Sequence, residues 1–99
     1  MSRILLADDS PHAQRMGERI LRDEGFEVVS VTDGETAMIR LSDVDPDLVL
    51  ADAFLPRRSG LEICREVKTN PRFRHVLPFP VGYPSGHYTL RESRTSGMP

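Results

Sequence analysis

The sequence predicts one small domain with an α/β fold and a parallel sheet, and two observations carry that prediction. Across residues 1–68, short apolar runs typical of β-strands alternate with segments whose apolar residues recur at helical spacing, which is the pattern of βαβ units. The chain has 99 residues, of which 38% are hydrophobic and 28% charged, as expected for one small globular domain with a single core.

The first predicted unit is a strand over residues 3–7 followed by a helix. Ser10 offers an N-cap and Pro11 an N1 residue for that helix. Gly25 supplies its C-terminal stop. The apolar residues that recur at helical spacing between these ends are Ala13, Met16, Ile20 and Leu21.

The second predicted unit begins with a strand over residues 27–31, which the Asp33-Gly34 turn closes. A shorter helix follows this turn. The apolar residues on one face of that helix are Ala37, Met38 and Leu41.

The third unit begins with residues 48–51, which are apolar throughout, as expected of a central strand covered on both faces. Ser59 and Glu62 have the spacing of a capping box at the start of the third helix. The residues predicted to face inward from this helix are Ile63, Cys64 and Val67. Because Cys64 is the single cysteine of the chain, we interpret it as core packing rather than as a reactive thiol.

The regular pattern fails after residue 75. Residues 76–81 have the apolar character of a fourth strand, but Pro78 and Pro80 remove backbone donors, so we expect a poor strand at best. Residues 82–99 show no sustained period and are predicted to be an irregular or disordered tail. The sequence therefore predicts an incomplete domain over residues 1–81 and a tail over residues 82–99.

The charge of the chain changes along its length. Residues 1–68 carry nine basic and fourteen acidic groups, whereas residues 69–99 carry four basic groups and one acidic group. No apolar run exceeds four residues, and the N-terminus has no signal-peptide pattern. We therefore expect a cytoplasmic protein that binds neither membranes nor, directly, nucleic acid.

Three carboxylates directly follow two of the predicted strands. Asp8 and Asp9 come after the first strand, and Asp52 comes after the third. The carboxyl ends of neighbouring parallel strands meet at one edge of an open sheet, where ligands bind. Three acids at that edge repel one another unless a cation or a proton lies between them. The pattern therefore predicts a magnesium site with a carboxylate that can act as a nucleophile toward phosphorus.

A simpler interpretation of the first two acids stays open. Asp is well suited to begin a turn and to cap a helix, and Asp8 and Asp9 could have only those functions. It is the combination with Asp52 that favours a metal and phosphoryl site.

Several motifs of this chain, taken together, resemble the receiver domain of bacterial two-component response regulators over residues 3–75. The matching segments are Ile4-Leu5-Leu6-Ala7-Asp8-Asp9-Ser10, Asp33-Gly34 with Ala37 after it, Asp47-Leu48-Val49-Leu50-Ala51-Asp52, and Leu55-Pro56 followed by Ser59-Gly60-Leu61-Glu62. The resemblance implies a flavodoxin-like doubly wound parallel sheet.

The resemblance also implies roles for the acids. Asp52 would be the phosphoacceptor, Asp8 and Asp9 would hold Mg²⁺, and the backbone carbonyl of Phe54 would be a further ligand. The phosphoryl group would come from a sensor histidine kinase or a histidine phosphotransfer protein. Such a domain catalyses at most its own phosphorylation and dephosphorylation, and it has no separate substrate.

The chain departs from the receiver pattern near its C-terminus. Residues 80–83, where the family has a Ser or Thr, contain neither, and the single lysine is Lys68 rather than one after a fifth strand. Our hypothesis is that the tail arose from a truncation or a shifted reading frame. Loss of the last βα unit is expected to deprive the third strand of a neighbour, to leave apolar surface exposed and to favour self-association.

Two other functions are considered. The chain could be a non-phosphorylated interaction module, or an inactive receiver fragment, that binds a kinase or another receiver through its first helix. It could also be a metal-dependent phosphatase with an aspartyl nucleophile, but that class wants an acid two residues after the nucleophile, where this chain has Phe54.

Overall fold

The computed structural model describes residues 2–82, which form a four-stranded parallel sheet with helices on both faces. The elements in chain order are β1 (Arg3–Ala7), α1 (Pro11–Asp23), β2 (Glu27–Val31), α2 (Gly34–Val44), β3 (Leu48–Asp52), α3 (Gly60–Thr69), a 3-10 turn (Pro71–Phe73) and β4 (Leu77–Val81). The predicted doubly wound sheet is confirmed. From residue 83 onward, the predicted tail lies outside the described residues.

The strand order is β2-β1-β3-β4, so β3 has a parallel neighbour on each side. The predicted central position of β3 is confirmed, and the expectation that it would lack a neighbour is wrong. In this register Ala7 of β1 lies opposite Ala51 of β3, and Asp52 lies opposite Val81 of β4. The strand ends that carry the acids are therefore adjacent.

The fourth strand pairs with β3 along its whole length, more regularly than its two prolines led us to expect. Leu77 N–H donates to Asp47 O at 2.9 Å, and Val81 O accepts from Ala53 N–H at 2.8 Å. Because backbone groups alternate in direction along a strand, the nitrogens of Pro78 and Pro80 point away from β3. The missing donors therefore do not interrupt the ladder between β3 and β4.

The core lies between the sheet and helices α2 and α3. Its completely buried side chains come from both layers: Leu5, Ala7, Ala37, Leu41, Val49, Ala51, Ile63 and Val67. Cys64 is also buried, which raises the pKa of its thiol to about 12, so this residue packs as a small apolar group.

Helix α1 lies on the opposite face of the sheet and contains no fully buried residue. Met16 and Ile20, which contribute to its predicted apolar pattern, are 51% and 58% exposed. At Gly17 the helix lies close to β1, since an added Cβ would lie 3.0 Å from Leu6 Cδ2. The side of the helix that faces the sheet therefore includes Gly17 and the half-buried Leu21, but not Met16 and Ile20.

Side-chain caps fix the beginning of each helix. Ser10, Asp33 and Ser59 each accept a hydrogen bond from a backbone N–H in the first turn of α1, α2 and α3. The Glu62 carboxylate accepts from the Ser59 hydroxyl at 3.5 Å rather than from the Ser59 backbone, so the predicted capping box is half formed. Within residues 2–82, no helix is long and apolar enough to cross a membrane.

Candidate functional site

The acids predicted from the sequence meet at the carboxyl edge of the sheet. Asp8 comes directly after β1, and Asp52 is the last residue of the adjacent β3. One carboxylate oxygen each from Asp8, Asp9 and Asp52 can be chosen so that the three lie within 4.8 Å of one another. The topology thus brings together side chains that are more than forty positions apart in the sequence.

Asp8 is half-buried and firmly held by its neighbours. Its Oδ1 accepts from Ser10 N–H at 2.9 Å, and its own N–H donates to Val31 O at 3.1 Å. Asp9 is exposed, so its carboxylate stands at the open side of the cluster. Of the alternative functions considered for these acids, the turn is present at Asp8 and coexists with the clustering, whereas the cap of α1 is Ser10 rather than Asp8 or Asp9.

Asp52 is also half-buried and is held by the loop that follows it. Its Oδ1 accepts from Phe54 N–H at 3.0 Å, and its carbonyl accepts from Leu55 N–H at 3.3 Å. The Phe54 side chain is 71% exposed. The backbone of Phe54 therefore lies beside the acid, whereas metal ligation by its carbonyl stays a prediction.

Gly60 allows the start of α3 to pack against the end of β3. A Cβ at this position would lie 2.4 Å from Asp52 O and 2.7 Å from Ala51 O, closer than a side chain can approach. The sequence identified Gly60 only as part of the Ser59-Gly60-Leu61-Glu62 segment. Its contact with the backbone of Asp52 itself depends on tertiary packing.

The loop between β3 and α3 also contacts the start of α2. Gly34 N–H donates to Pro56 O at 3.2 Å, and a Cβ on Gly34 would lie 1.9 Å from Arg58 O. Arg57 and Arg58 are exposed, and Arg57 has a positive φ of 72°. The backbone that positions the loop after Asp52 therefore depends on a glycine in a neighbouring helix.

Gln14 is a polar residue of this region that the sequence analysis did not identify. Its side-chain amide donates to Asp8 O at 2.9 Å and to Val31 O at 2.8 Å. The available signal was a glutamine placed among the apolar residues of α1, four residues after the Ser10 cap.

The cluster has the chemistry of a hard-cation site. Mg²⁺ takes oxygen ligands, keeps several waters and is commonly held by one or two carboxylates together with a substrate phosphate. Three close carboxylates repel one another, and a divalent cation relieves that repulsion. The donor set therefore fits Mg²⁺, and a carboxylate beside the ion can serve as a nucleophile.

Comparison with known proteins gives one consistent result. A family model described as "Response regulator receiver domain" matches residues 4–80. The DNA-binding response regulator MtrA of Mycolicibacterium smegmatis is 38% identical over 68 residues, which are 69% of this chain and 30% of MtrA. The chain thus matches less than a third of the length of that relative.

Two solved structures share the fold. The receiver domain of sensor histidine kinase PA1611 from Pseudomonas aeruginosa, described with a magnesium ion coordinated in its active site cleft, is 33% identical with a TM-score of 0.69. Response regulator protein TrrA of Thermotoga maritima, in complex with Mg(2+)-BeF, is 33% identical with a TM-score of 0.68. The matches cover 76% and 73% of this chain, and 62% and 63% of those chains.

Proposed function

The chain belongs to the response regulator receiver family of two-component systems, and from that membership we propose that Asp52 accepts a phosphoryl group in a magnesium-dependent reaction. The observation that carries the proposal is the approach of the Asp8, Asp9 and Asp52 carboxylates to within 4.8 Å of one another. The domain that performs this reaction would span residues 1–81.

The acids after β1 would bind the magnesium ion, and Asp52 would both bind it and accept the phosphoryl group. Asp8, Asp9 and Asp52, with the carbonyl of Phe54, would supply the oxygen ligands, and Asp9 is the most exposed of the three acids. Magnesium, when bound there, neutralises negative charge on the transferring phosphoryl oxygens. Phe54 N–H holds Oδ1 of Asp52, so we propose that Oδ2 is the attacking oxygen.

The transfer exchanges one bond for another. The Asp52 carboxylate oxygen forms a P–O bond while the P–N bond of a phosphohistidine breaks, and the electron pair goes to the departing imidazole, which takes a proton from water. The product is an acyl phosphate on Asp52. The donor would be a sensor histidine kinase or a histidine phosphotransfer protein, in the cytoplasm. Hydrolysis of the acyl phosphate would return the carboxylate, so the domain acts on no separate substrate.

The test is acyl-phosphate formation on the purified chain, measured by intact-protein mass after incubation with acetyl phosphate and Mg²⁺. We expect one phosphoryl group on the wild type, none after a chelator is added and none on Asp52→Asn. Asp43→Asn is the matched control, because Asp43 is an exposed aspartate that pairs with Arg40 on α2. Circular dichroism confirms that each variant is folded.

The proposal would be overturned by folded wild-type chain that gains no phosphoryl group. It would also be overturned by labelling that persists in Asp52→Asn, because the acceptor would then be another residue.

A second candidate function is favoured by the exposed apolar residues Met16 and Ile20 on α1. Exposed apolar side chains that lie close together mark interaction surfaces, so α1 would bind a kinase, another receiver or a second copy of the chain. Partner binding that survives Asp52→Asn, in chain that gains no phosphoryl group, would support this function instead. Sedimentation of the wild type at increasing concentration tests self-association.

A further inference from the structure

The side chain of Gln14 bridges the ends of two strands next to the acidic cluster. It is half-buried on α1, and its amide donates to Asp8 O at 2.9 Å and to Val31 O at 2.8 Å. A glutamine amide has two hydrogens to donate, and both are used here. The end of β1 is thereby joined to the end of β2 through a residue that belongs to neither strand.

These bonds complete a set that fixes the backbone of Asp8. Val31 O also accepts from Asp8 N–H at 3.1 Å, so both backbone groups of Asp8 are bonded, one to β2 and one to Gln14. Because the peptide unit is planar, fixing the carbonyl of Asp8 also fixes the amide of Asp9. The direction in which the Asp9 side chain leaves the backbone therefore depends on Gln14.

Few other contacts fix the position of the Asp9 carboxylate. Its side chain is exposed, and within residues 2–82 it takes part in no hydrogen bond or ion pair. The nearby carboxylates of Asp8 and Asp52 repel it, which favours its rotation away from the cluster. The backbone to which Asp9 is attached is thus the main constraint that keeps its oxygen near the other two.

We propose that Gln14 is a positioning residue that holds Asp8 and Asp9 for a divalent cation. The inference rests on the proposed function and adds to it a residue that does not touch the ion. Mg²⁺ requires near-octahedral geometry with short bonds to oxygen, so small displacements of its ligands weaken binding. Residues that orient metal ligands commonly change affinity by about 10-fold to 100-fold when they are replaced.

The first variant is Gln14→Met, which keeps a similar length and removes both donors. Its matched control is Ser30→Ala, because the Ser30 hydroxyl donates to Glu18 and likewise ties α1 to β2, but away from the acids. Mg²⁺ affinity is measured by calorimetric titration, and urea unfolding measures stability in the same samples. We expect Gln14→Met to raise the Kd for Mg²⁺ about 10-fold and Ser30→Ala to leave it unchanged.

A second variant, Gln14→Glu, separates geometry from charge. Its carboxylate has the same shape as the amide, but an oxygen that cannot donate replaces the nitrogen that bonds both carbonyls. The negative charge of the carboxylate alone would strengthen cation binding. Weaker Mg²⁺ binding by Gln14→Glu therefore supports positioning, and it answers the question if Gln14→Met fails to fold.

Two results would overturn the inference while leaving the proposed function intact. One is wild-type affinity for Mg²⁺ in the folded Gln14 variants. The other is an equal loss of affinity in Ser30→Ala at matched stability, which would show that any loosening of α1 has the same effect. A folded wild type that binds no Mg²⁺ would instead overturn the proposed metal site, and the inference with it.

Discussion

The two faces of the sheet are held in different ways. On the face of α2 and α3, side chains such as Leu41 and Ile63 are completely buried, and backbone segments approach each other through glycines. On the face of α1, the helix has no fully buried residue, and its contacts include polar bonds such as Arg22 Nη2 to Val28 O at 3.2 Å. The first face supplies most of the buried apolar residues, and the second ties α1 to β2 and, through Gln14, to the end of β1 at Asp8.

The stability of the fold and the geometry of the site depend on different faces of the sheet. Packing in the core is tight, so a lost methyl group there costs free energy directly. The polar bonds of α1 each contribute little net free energy, yet one of them determines how the Asp8–Asp9 peptide is oriented. We therefore expect variants on the α2 and α3 face to change the free energy of unfolding, and variants such as Gln14→Met to change cation affinity.

The largest expected difference between the two faces comes from one substitution made twice. Ile63 of α3 is completely buried, whereas Ile20 of α1 is largely exposed. We expect Ile63→Ala to lower the free energy of unfolding by about 2–5 kcal/mol and Ile20→Ala to change it by less than about 0.5 kcal/mol. Urea unfolding followed by circular dichroism measures both. Equal losses would mean that α1 is packed as tightly as α3.

A smaller difference is expected from alanine at two helical glycines. At Gly34 an added Cβ would meet the backbone at Arg58 O, so the loop after β3 must move, and we expect a loss of about 1–3 kcal/mol. At Gly17 the nearest atom is the end of the flexible Leu6 side chain. Higher helix propensity should then make Gly17→Ala neutral or stabilising, by up to about 1 kcal/mol. Thermal unfolding shows whether each substitution raises or lowers stability. Destabilisation by Gly17→Ala would show that α1 cannot shift outward.

The smallest expected effect is a pH dependence at the start of α2. The backbone N–H of Thr36 donates to the Asp33 carboxylate and lowers its pKa below the usual value. A lowered folded-state pKa means that this contribution to stability is present above the unfolded-state pKa of about 3.9, and that it is lost as the pH falls through the folded-state value.

Asp33→Asn keeps a capping side chain without the titration. The difference in unfolding free energy between wild type and Asp33→Asn should therefore be present at neutral pH and disappear in acid. Ser10→Ala is the control on the other face, because the Ser10 cap does not titrate. A difference for Asp33→Asn that persists unchanged in acid would contradict the assignment.

Much of the fold could be predicted because local signals agreed along the chain. Residues 27–31 were predicted as a strand from their composition and turn, and β2 spans Glu27–Val31. Ser10 and Ser59 were predicted as caps and accept the expected backbone hydrogen bonds. The clustering of Asp8, Asp9 and Asp52 followed from the parallel topology alone.

What the sequence did not predict depends on how the elements pack together. The exposure of Met16 and Ile20 follows from the position of α1 over β1 and β2, which helical spacing does not determine. The close approach at Gly34 involves a loop more than twenty residues further along the chain. The bonds of Gln14 require its helix to stand at one angle above the sheet, and no local pattern specifies that angle.

The alternating prolines of β4 also affect how this protein can associate with other strands. On the side of β4 that faces away from β3, Pro78 and Pro80 have no N–H groups to donate. Any strand that pairs on this side therefore receives no hydrogen bond from those two residues. Open strand edges are templates for aggregation, and proline is one of the residues that weakens them. The feature that made the fourth strand look doubtful in the sequence thus disfavours growth of the sheet into a fibril.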